Sequence, residues 1–265
     1  MNRINLMNAI VNTGHAGEHL HPVAPASAPL LLDLRGLAAA GYLVPGAEDS
    51  RRAEELRVIK QPLLREMRAA PASPGRQALV MVTSALPGEG KTTLAINLAM
   101  SLAMEPDRSV LLVDLNGAAM RRLGVVREKG LMDLVADPDL PLHEVIRPTQ
   151  VPRLSVLPPG RSNRLAAEVL ASRAMGRLLD RLAADCLDRV VVIDAPPLLA
   201  GSAAKALATQ VGQVVVVVQA RRTPVRAVQR AFACLLHCAA VTSVLNRADL
   251  EAGDAAGIRH QPNTG

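Results

Sequence analysis

A β-branched apolar run, Leu79 to Thr83, ends in the turn Ser84-Ala85-Leu86-Pro87-Gly88-Glu89-Gly90, and Lys91-Thr92-Thr93 then opens an amphipathic helical pattern. The order is strand, Gly-rich loop, helix. Gly88 and Gly90 let backbone N–H groups point inward, and the helix N-terminus adds partial positive charge, so the stretch is suited to cradling phosphate. In such a loop Lys91 bridges the β- and γ-phosphates and the Thr92 hydroxyl ligates Mg²⁺. The usual pattern G-x-x-x-x-G-K-[ST] opens on Gly where this chain has Ala85. Pro87, Gly88, Glu89, Gly90, Lys91, Thr92 and Thr93 are the candidate nucleotide-binding residues.

The helix that follows carries Leu94, Leu98 and Leu102 at spacings of four, one apolar face for a sheet, and Pro106 stops it. The next apolar run, Val110 to Val113, ends at Asp114-Leu115-Asn116. Parallel strands joined by a helix cross over right-handed and build a doubly wound sheet, with ligands at the carboxyl ends of the strands. The expected fold is therefore α/β, a mostly parallel sheet with helices on both faces, preceded by a helical segment. Val190 to Ile193 is a continuous apolar run of the kind buried on both faces, and it ends in Asp194. An acid at that strand tip, in the company of Lys91 and Asp114, suits a Mg²⁺-holding and water-positioning role.

Other elements follow from the same reading. A short helix is expected over Gly130–Val135, a strand over Leu154–Leu157, a long helix over Ala166–Cys186, a strand over Val214–Val218, a helix over Pro224–Cys238 and a last strand over Val241–Leu245 ending in Asn246-Arg247. Residues 1–29 read as a flexible leader, 30–75 as a helical segment and linker, 76–247 as the nucleotide-binding domain and 248–265 as a disordered polar tail. Within the helix expected over Ser50–Met67, Glu54, Arg57 and Lys60 recur every three residues and are assigned to one face.

Composition excludes some functions. Aromatic residues are 1% of the 265, with Phe232, Tyr42 and no Trp, which argues against base-stacking modes of nucleic-acid binding, and no nucleic-acid partner is expected. The net charge of +6 comes from scattered Arg such as Arg121-Arg122, Arg173, Arg177 and Arg221-Arg222, the pattern of a solvated surface. Cys186, Cys234 and Cys238 lack zinc spacing and suit a reducing cytosol. No signal-peptide core or membrane-length run occurs, so the expected location is cytoplasmic, at the inner membrane only through a partner.

At this point the chain resembles a family, the bacterial tyrosine kinases of the CpsD/CapB type within the MinD/ParA-like P-loop ATPases. The carriers are Thr83 to Thr93, Val110 to Asn116, Gly130 to Leu134, Leu154 to Gly160, Ala167 to Ser172, Val190 to Pro197 and Val244 to Arg247. Ala53 to Leu64 resembles the front segment of the subgroup associated with exosortase-linked exopolysaccharide operons. The resemblance implies ATP and Mg²⁺ as cofactors, Lys91, Asp114 and Asp194 as catalytic residues, and Thr92, Asp114, Asn116 and Asp194 around the metal. It implies that Asn246, with Arg247 beside it, contacts adenine. It also implies a homo-oligomer formed through Glu54, Arg57 and Lys60, and a Wzz-like polysaccharide co-polymerase, a chain-length membrane protein, as partner.

The chain departs from the family pattern in four places. Asn116 stands where the family has a second Asp, Ala203 where it usually has an acid, and Ala85 at the first loop position. The tyrosine-rich tail is missing, leaving Tyr42 as the chain's only Tyr. The implied function is γ-phosphoryl transfer in exopolysaccharide assembly or export. Two alternatives keep the same fold. One is a nucleotide-dependent regulatory switch without phosphotransfer, favoured by Asn116, Ala203 and the absent tail. The other is a MinD/ParA-type ATPase, disfavoured because Leu86 occupies the position of that group's second loop Lys.

Overall fold

The computed structural model describes residues 28–48, 50–69, 75–126, 129–160, 166–184, 188–248 and 260–262. Most of the expected leader and of the expected tail, and Cys186 just beyond α8, lie outside these residues. The strands are β1 (Leu79–Ser84), β2 (Ser109–Asp114), β3 (Arg147–Pro148), β4 (Leu154–Leu157), β5 (Arg189–Asp194), β6 (Gln213–Gln219), β7 (Ala240–Asn246) and β8 (His260–Pro262). The helices are α1 (Leu34–Ala39), α2 (Arg51–Ala69), α3 (Lys91–Ala103), α4 (Ala118–Leu123), α5 (Leu131–Ala136), α6 (Leu142–Val145), α7 (Ala166–Leu170), α8 (Arg173–Ala184), α9 (Ser202–Ala208) and α10 (Val225–Ala233).

One sheet runs in the order β3-β4-β2-β5-β1-β6-β7-β8, parallel throughout except at its two edges. Its central strands are apolar on both sides because both faces are covered. Met81, Ile193 and Val216 face a cluster shared with α5, α8 and α9, while Val80, Val192 and Val215 face one shared with α2, α3 and α4. The strand alternation of period two thus divides each run of Val and Ile between two cores. The registers Met81 with Ile193, Asp114 with Asp194 and Gln219 with Asn246 bring the carboxyl ends of β1, β2, β5, β6 and β7 to one edge. That edge carries every candidate site residue of the sequence analysis outside α2.

Three elements differ from their sequence-based expectations. The long helix expected from Ala166 is two, because the Ser172 hydroxyl donates to Val169 O (2.7 Å) and accepts from Met175 N (3.2 Å), capping α8 at its start. The helical pattern from Leu30 forms a helix only over Leu34–Ala39, started by Asp33, whose side chain accepts from Gly36 N. Leu30 instead bridges to Thr149, and the Gln150 side chain bonds both N–H and C=O of Leu32, so this segment is strapped to the β3 edge. In the tail, His260–Pro262 pairs antiparallel with β7.

The face assigned to Glu54, Arg57 and Lys60 requires correction. Glu54 and Arg57 are exposed and pair with each other at 2.7 Å. Lys60 is 5% exposed, donates to Ser101 O at 3.1 Å and pairs with Glu105 at 2.6 Å. Three residues advance a helix by about 300°, so two such steps turn the side chain by about 120° and carry it from the exposed face to the buried one. Lys60 therefore clasps the C-terminal end of α3, where a cation also meets the negative end of the helix dipole.

Candidate nucleotide and phosphoryl-transfer site

The site starts from the loop between β1 and α3. Gly88 and Gly90 have φ of +84° and +101°, the left-handed region that an L side chain enters only at a cost, so the loop turns where the sequence places glycine. Ala85, the departure at the first position, is fully buried and its carbonyl accepts from Leu199 N. Lys91 opens α3 with its Nζ 4.0 Å from Asp194 Oδ1 and 3.4 Å from Thr92 Oγ1. The strand–loop–helix order thus delivers an ammonium and a hydroxyl, and the pairing of β5 with β1 brings the Asp194 carboxylate to the same point at the edge of the sheet.

Asp194 is the chemically open member of this group. It is fully buried, and neither carboxylate oxygen has a hydrogen-bond partner among the described residues. Burial pushes its pKa up to about 6, against the opposing pull of the Lys91 ammonium, while the neighbouring Asp114 adds to the rise. An orphaned buried carboxylate is costly unless something pairs with it. A divalent cation beside Thr92 satisfies that need, so the residues present fit Mg²⁺.

Asp114 is engaged differently. Its Oδ1 accepts from Asn116 N (3.0 Å) and Gly117 N (2.8 Å), and its Oδ2 from Met120 N (2.8 Å). Three of roughly four acceptor positions of the carboxylate are filled by backbone, leaving one on Oδ2. Asn116 Oδ1 accepts from Ala118 N at 3.0 Å, a local turn at the entry to α4. Ala203 is buried at the start of α9, packed in the core beside Leu207, so the position usually held by an acid serves packing here.

Asn246 and Arg247 close the far side. Asn246 Nδ2 donates to the Glu89 carbonyl at 2.8 Å, and its Oδ1 accepts from Arg247 N at 3.0 Å. Thr93 receives a hydrogen bond from Arg122, which also donates to the Tyr42 hydroxyl at 2.9 Å. Composition assigned Arg122 to solvated surface; the structure brings it to the second turn-forming hydroxyl of α3 and within the electrostatic reach of Asp194. Thr223 was also missed, and its hydroxyl donates to the Glu89 carboxylate. The partners in these contacts are 29, 80 and 134 residues apart, so no local pattern carries them.

A doubly wound sheet with this loop at the end of its central strand, an acid on the neighbouring strand and Lys91 between them defines a P-loop nucleotide-binding domain. A family model described as an AAA domain matches residues 79–243. The chain is 34% identical over 143 residues to the tyrosine-protein kinase Ptk of Acinetobacter johnsonii, a match covering 52% of this chain and 19% of that one. It is 32% identical over 164 residues to the tyrosine-protein kinase YwqD of Bacillus subtilis, covering 60% and 67%. Against the chromosome-partitioning ATPase Soj of Thermus thermophilus the identity is 40% over 135 residues, covering 50% and 51%. The kinase domain of the Escherichia coli tyrosine kinase Etk superposes with a TM-score of 0.65 at 26% identity, covering 81% of this chain and 84% of that domain. The chain belongs to the bacterial tyrosine-kinase family within the ParA/MinD-like P-loop proteins. It spans about a fifth of the length of the first of these relatives.

Proposed function

We propose that the protein binds MgATP and transfers its γ-phosphoryl group to a protein hydroxyl, regulating the synthesis or export of an extracellular polysaccharide. The observation that carries the chemistry is Asp194, buried, without a hydrogen bond to either oxygen among the described residues and 4.0 Å from the Lys91 ammonium. Asp194 and Thr92 would hold Mg²⁺, which would supply charge neutralisation on the transferred phosphoryl group. Lys91 supplies a second positive charge on the phosphate oxygens, and preorganised charge of this kind is the main catalytic resource in such transfers. Asp114, with one acceptor position left on Oδ2, orients the incoming hydroxyl. Asn116 stays near this group as the outer residue of the second strand end, and Arg247 flanks the nucleotide. The similarity to curated tyrosine kinases supports the reaction class, and the similarity to the succinoglycan biosynthesis transport protein ExoP of Rhizobium meliloti supports the polysaccharide setting.

Within this reading the phosphoacceptor is another polypeptide, and a Wzz-like membrane chain-length protein is the proposed partner, with the chain peripheral to the inner membrane. No helix among the described residues is long and apolar enough to cross a membrane. Tyr42, the chain's only Tyr, is tied by Arg122 to its own α3. Incubation with γ-labelled ATP followed by peptide mapping tests the assignment. The expected result is ATP turnover with negligible label on the chain itself, equal in wild type and Tyr42→Phe, and label on a membrane partner when one is added. Strong phosphotyrosine on the chain that Tyr42→Phe abolishes contradicts the external-acceptor assignment.

A further inference from the structure

Arg122 lies on α4, whose start is fixed by an acid of the site. The Asp114 carboxylate accepts from Asn116 N, Gly117 N and Met120 N, and Ala119, Met120 and Leu123 are buried, which leaves Arg122 on the exposed side of the helix. From there its guanidinium reaches two hydroxyls. Nη1 donates to Thr93 Oγ1 in the first turn of α3 and to the Tyr42 hydroxyl at 2.9 Å. Tyr42 is itself held in place, because the next residue, Leu43, donates its N–H to Asn97 Oδ1 of α3 at 2.7 Å, a buried contact.

Both acceptors are neutral. Among the described residues Arg122 makes no ion pair, and Asp194 senses its charge only from a distance. The guanidinium nevertheless sits at the N-terminal turn of α3, where the helix dipole is positive and the Lys91 ammonium already stands. Two cations at a positive helix end repel unless an anion joins them, and a helix start behind a Gly-rich loop is where phosphate binds. The hydrogen bonds fit the same ligand. A guanidinium has five N–H donors, of which the two on Nη1 are taken by Thr93 and Tyr42, while those on Nε and Nη2 have no acceptor among the described residues. Nε and Nη2 share one edge of the planar group, the fork that matches two oxygens of a phosphate.

We propose that Arg122 is a phosphate-binding residue of the nucleotide site, presenting its Nε–Nη2 edge to the phosphate chain of the bound nucleotide while Thr93 and Tyr42 hold its Nη1. The proposal rests on the nucleotide reading above and adds to Lys91 a second cation, supplied by an element outside the loop. A fork already held on one side loses less rotamer freedom on binding than a free Arg side chain does. Tyr42 precedes α2, so the phosphate site takes one of its supports from outside the domain expected over 76–247.

The test uses the full chain and two probes, magnesium ADP and magnesium tripolyphosphate, with binding followed by titration calorimetry. Arg122 is exposed, so the chain folds without it. Arg122→Met is expected to weaken both probes by about tenfold, the loss of a charge-assisted contact at an accessible position. Arg122→Lys keeps the charge without the fork and is expected to leave a loss of about threefold. Arg177→Met removes the same charge from the exposed side of α8 and is expected to bind both probes as the wild type does, which separates contact from net charge. Wild-type affinity for both probes in Arg122→Met or in Arg122→Lys, or an equal loss in Arg177→Met, overturns the proposal. A loss confined to ADP, with tripolyphosphate unaffected, places Arg122 at the nucleoside and overturns it too. Failure of the wild-type protein to bind either probe removes the nucleotide reading itself, whereas wild-type binding with no loss in Arg122→Met removes this proposal alone.

Discussion

Asp194 holds an ionisable group where an apolar one would be more stable. Burial favours the neutral acid, so the folded-state pKa stands near 6 against an ordinary value of 3.8. Between those values the folded state binds more protons than the unfolded chain, and stability falls as pH rises through that window. Above about pH 6 the full penalty is present. Asp194→Asn keeps the shape and removes the charge, so it is expected to stabilise the ligand-free protein by on the order of 2 kcal/mol at pH 8. The gain shrinks on acidification and vanishes below the unfolded-state pKa. Urea unfolding of both proteins across that range checks this, and a variant less stable than wild type at pH 8 contradicts the burial argument. The position of Asp194 was legible, since a strand-end acid after Val190 to Ile193 announces itself. The engagement of Asp114 by three N–H groups was not, because it depends on how the chain turns into α4.

At the scale of the element, α2 shows where periodic reading succeeds and where it slips. Its apolar positions Leu56, Ile59, Leu63 and Leu64 form one buried face at helical spacing and join the α3 side of the core. Lys60 was misassigned because a spacing of three drifts around a helix whose period is 3.6. Its ammonium is now expected to stabilise the docking of α2 on α3. Lys60→Ala should lower the unfolding free energy by about 2 kcal/mol, since it leaves the Ser101 carbonyl and the partly buried Glu105 without their cation. The double variant Glu54→Ala, Arg57→Ala should cost less than about 1 kcal/mol, as exposed pairs do. Denaturant midpoints separate the two, and equal losses contradict the assignment of Lys60 to the buried face. Assembly through the two exposed residues is a separate proposal, read by sedimentation of the same double variant at low and high salt. Ser172 gives the second lesson on this scale: a residue within an apolar helical pattern ended one helix and started another, through side-chain bonds that periodicity does not register.

For the whole molecule, the Val- and Ile-rich runs foretold a parallel sheet covered on both faces, and the strand–loop–helix order foretold where its ligand edge lies. What the sequence left open was the order β3-β4-β2-β5-β1-β6-β7-β8 and the antiparallel edges, since strand neighbours are chosen by packing between distant segments. That order is what sets β5 and β6 on either side of β1, and so brings Asp194 and Thr223 to the same loop. The claim that this edge is a MgATP site is tested most directly by thermal unfolding with saturating MgATP or MgADP. A ligand that binds only the folded state adds about 2.7 kcal/mol at roughly a hundred times its Kd. Wild type is expected to melt several degrees higher with nucleotide and Lys91→Met to show no shift, whereas an unchanged wild-type melting temperature, or an equal shift in Lys91→Met, contradicts the site.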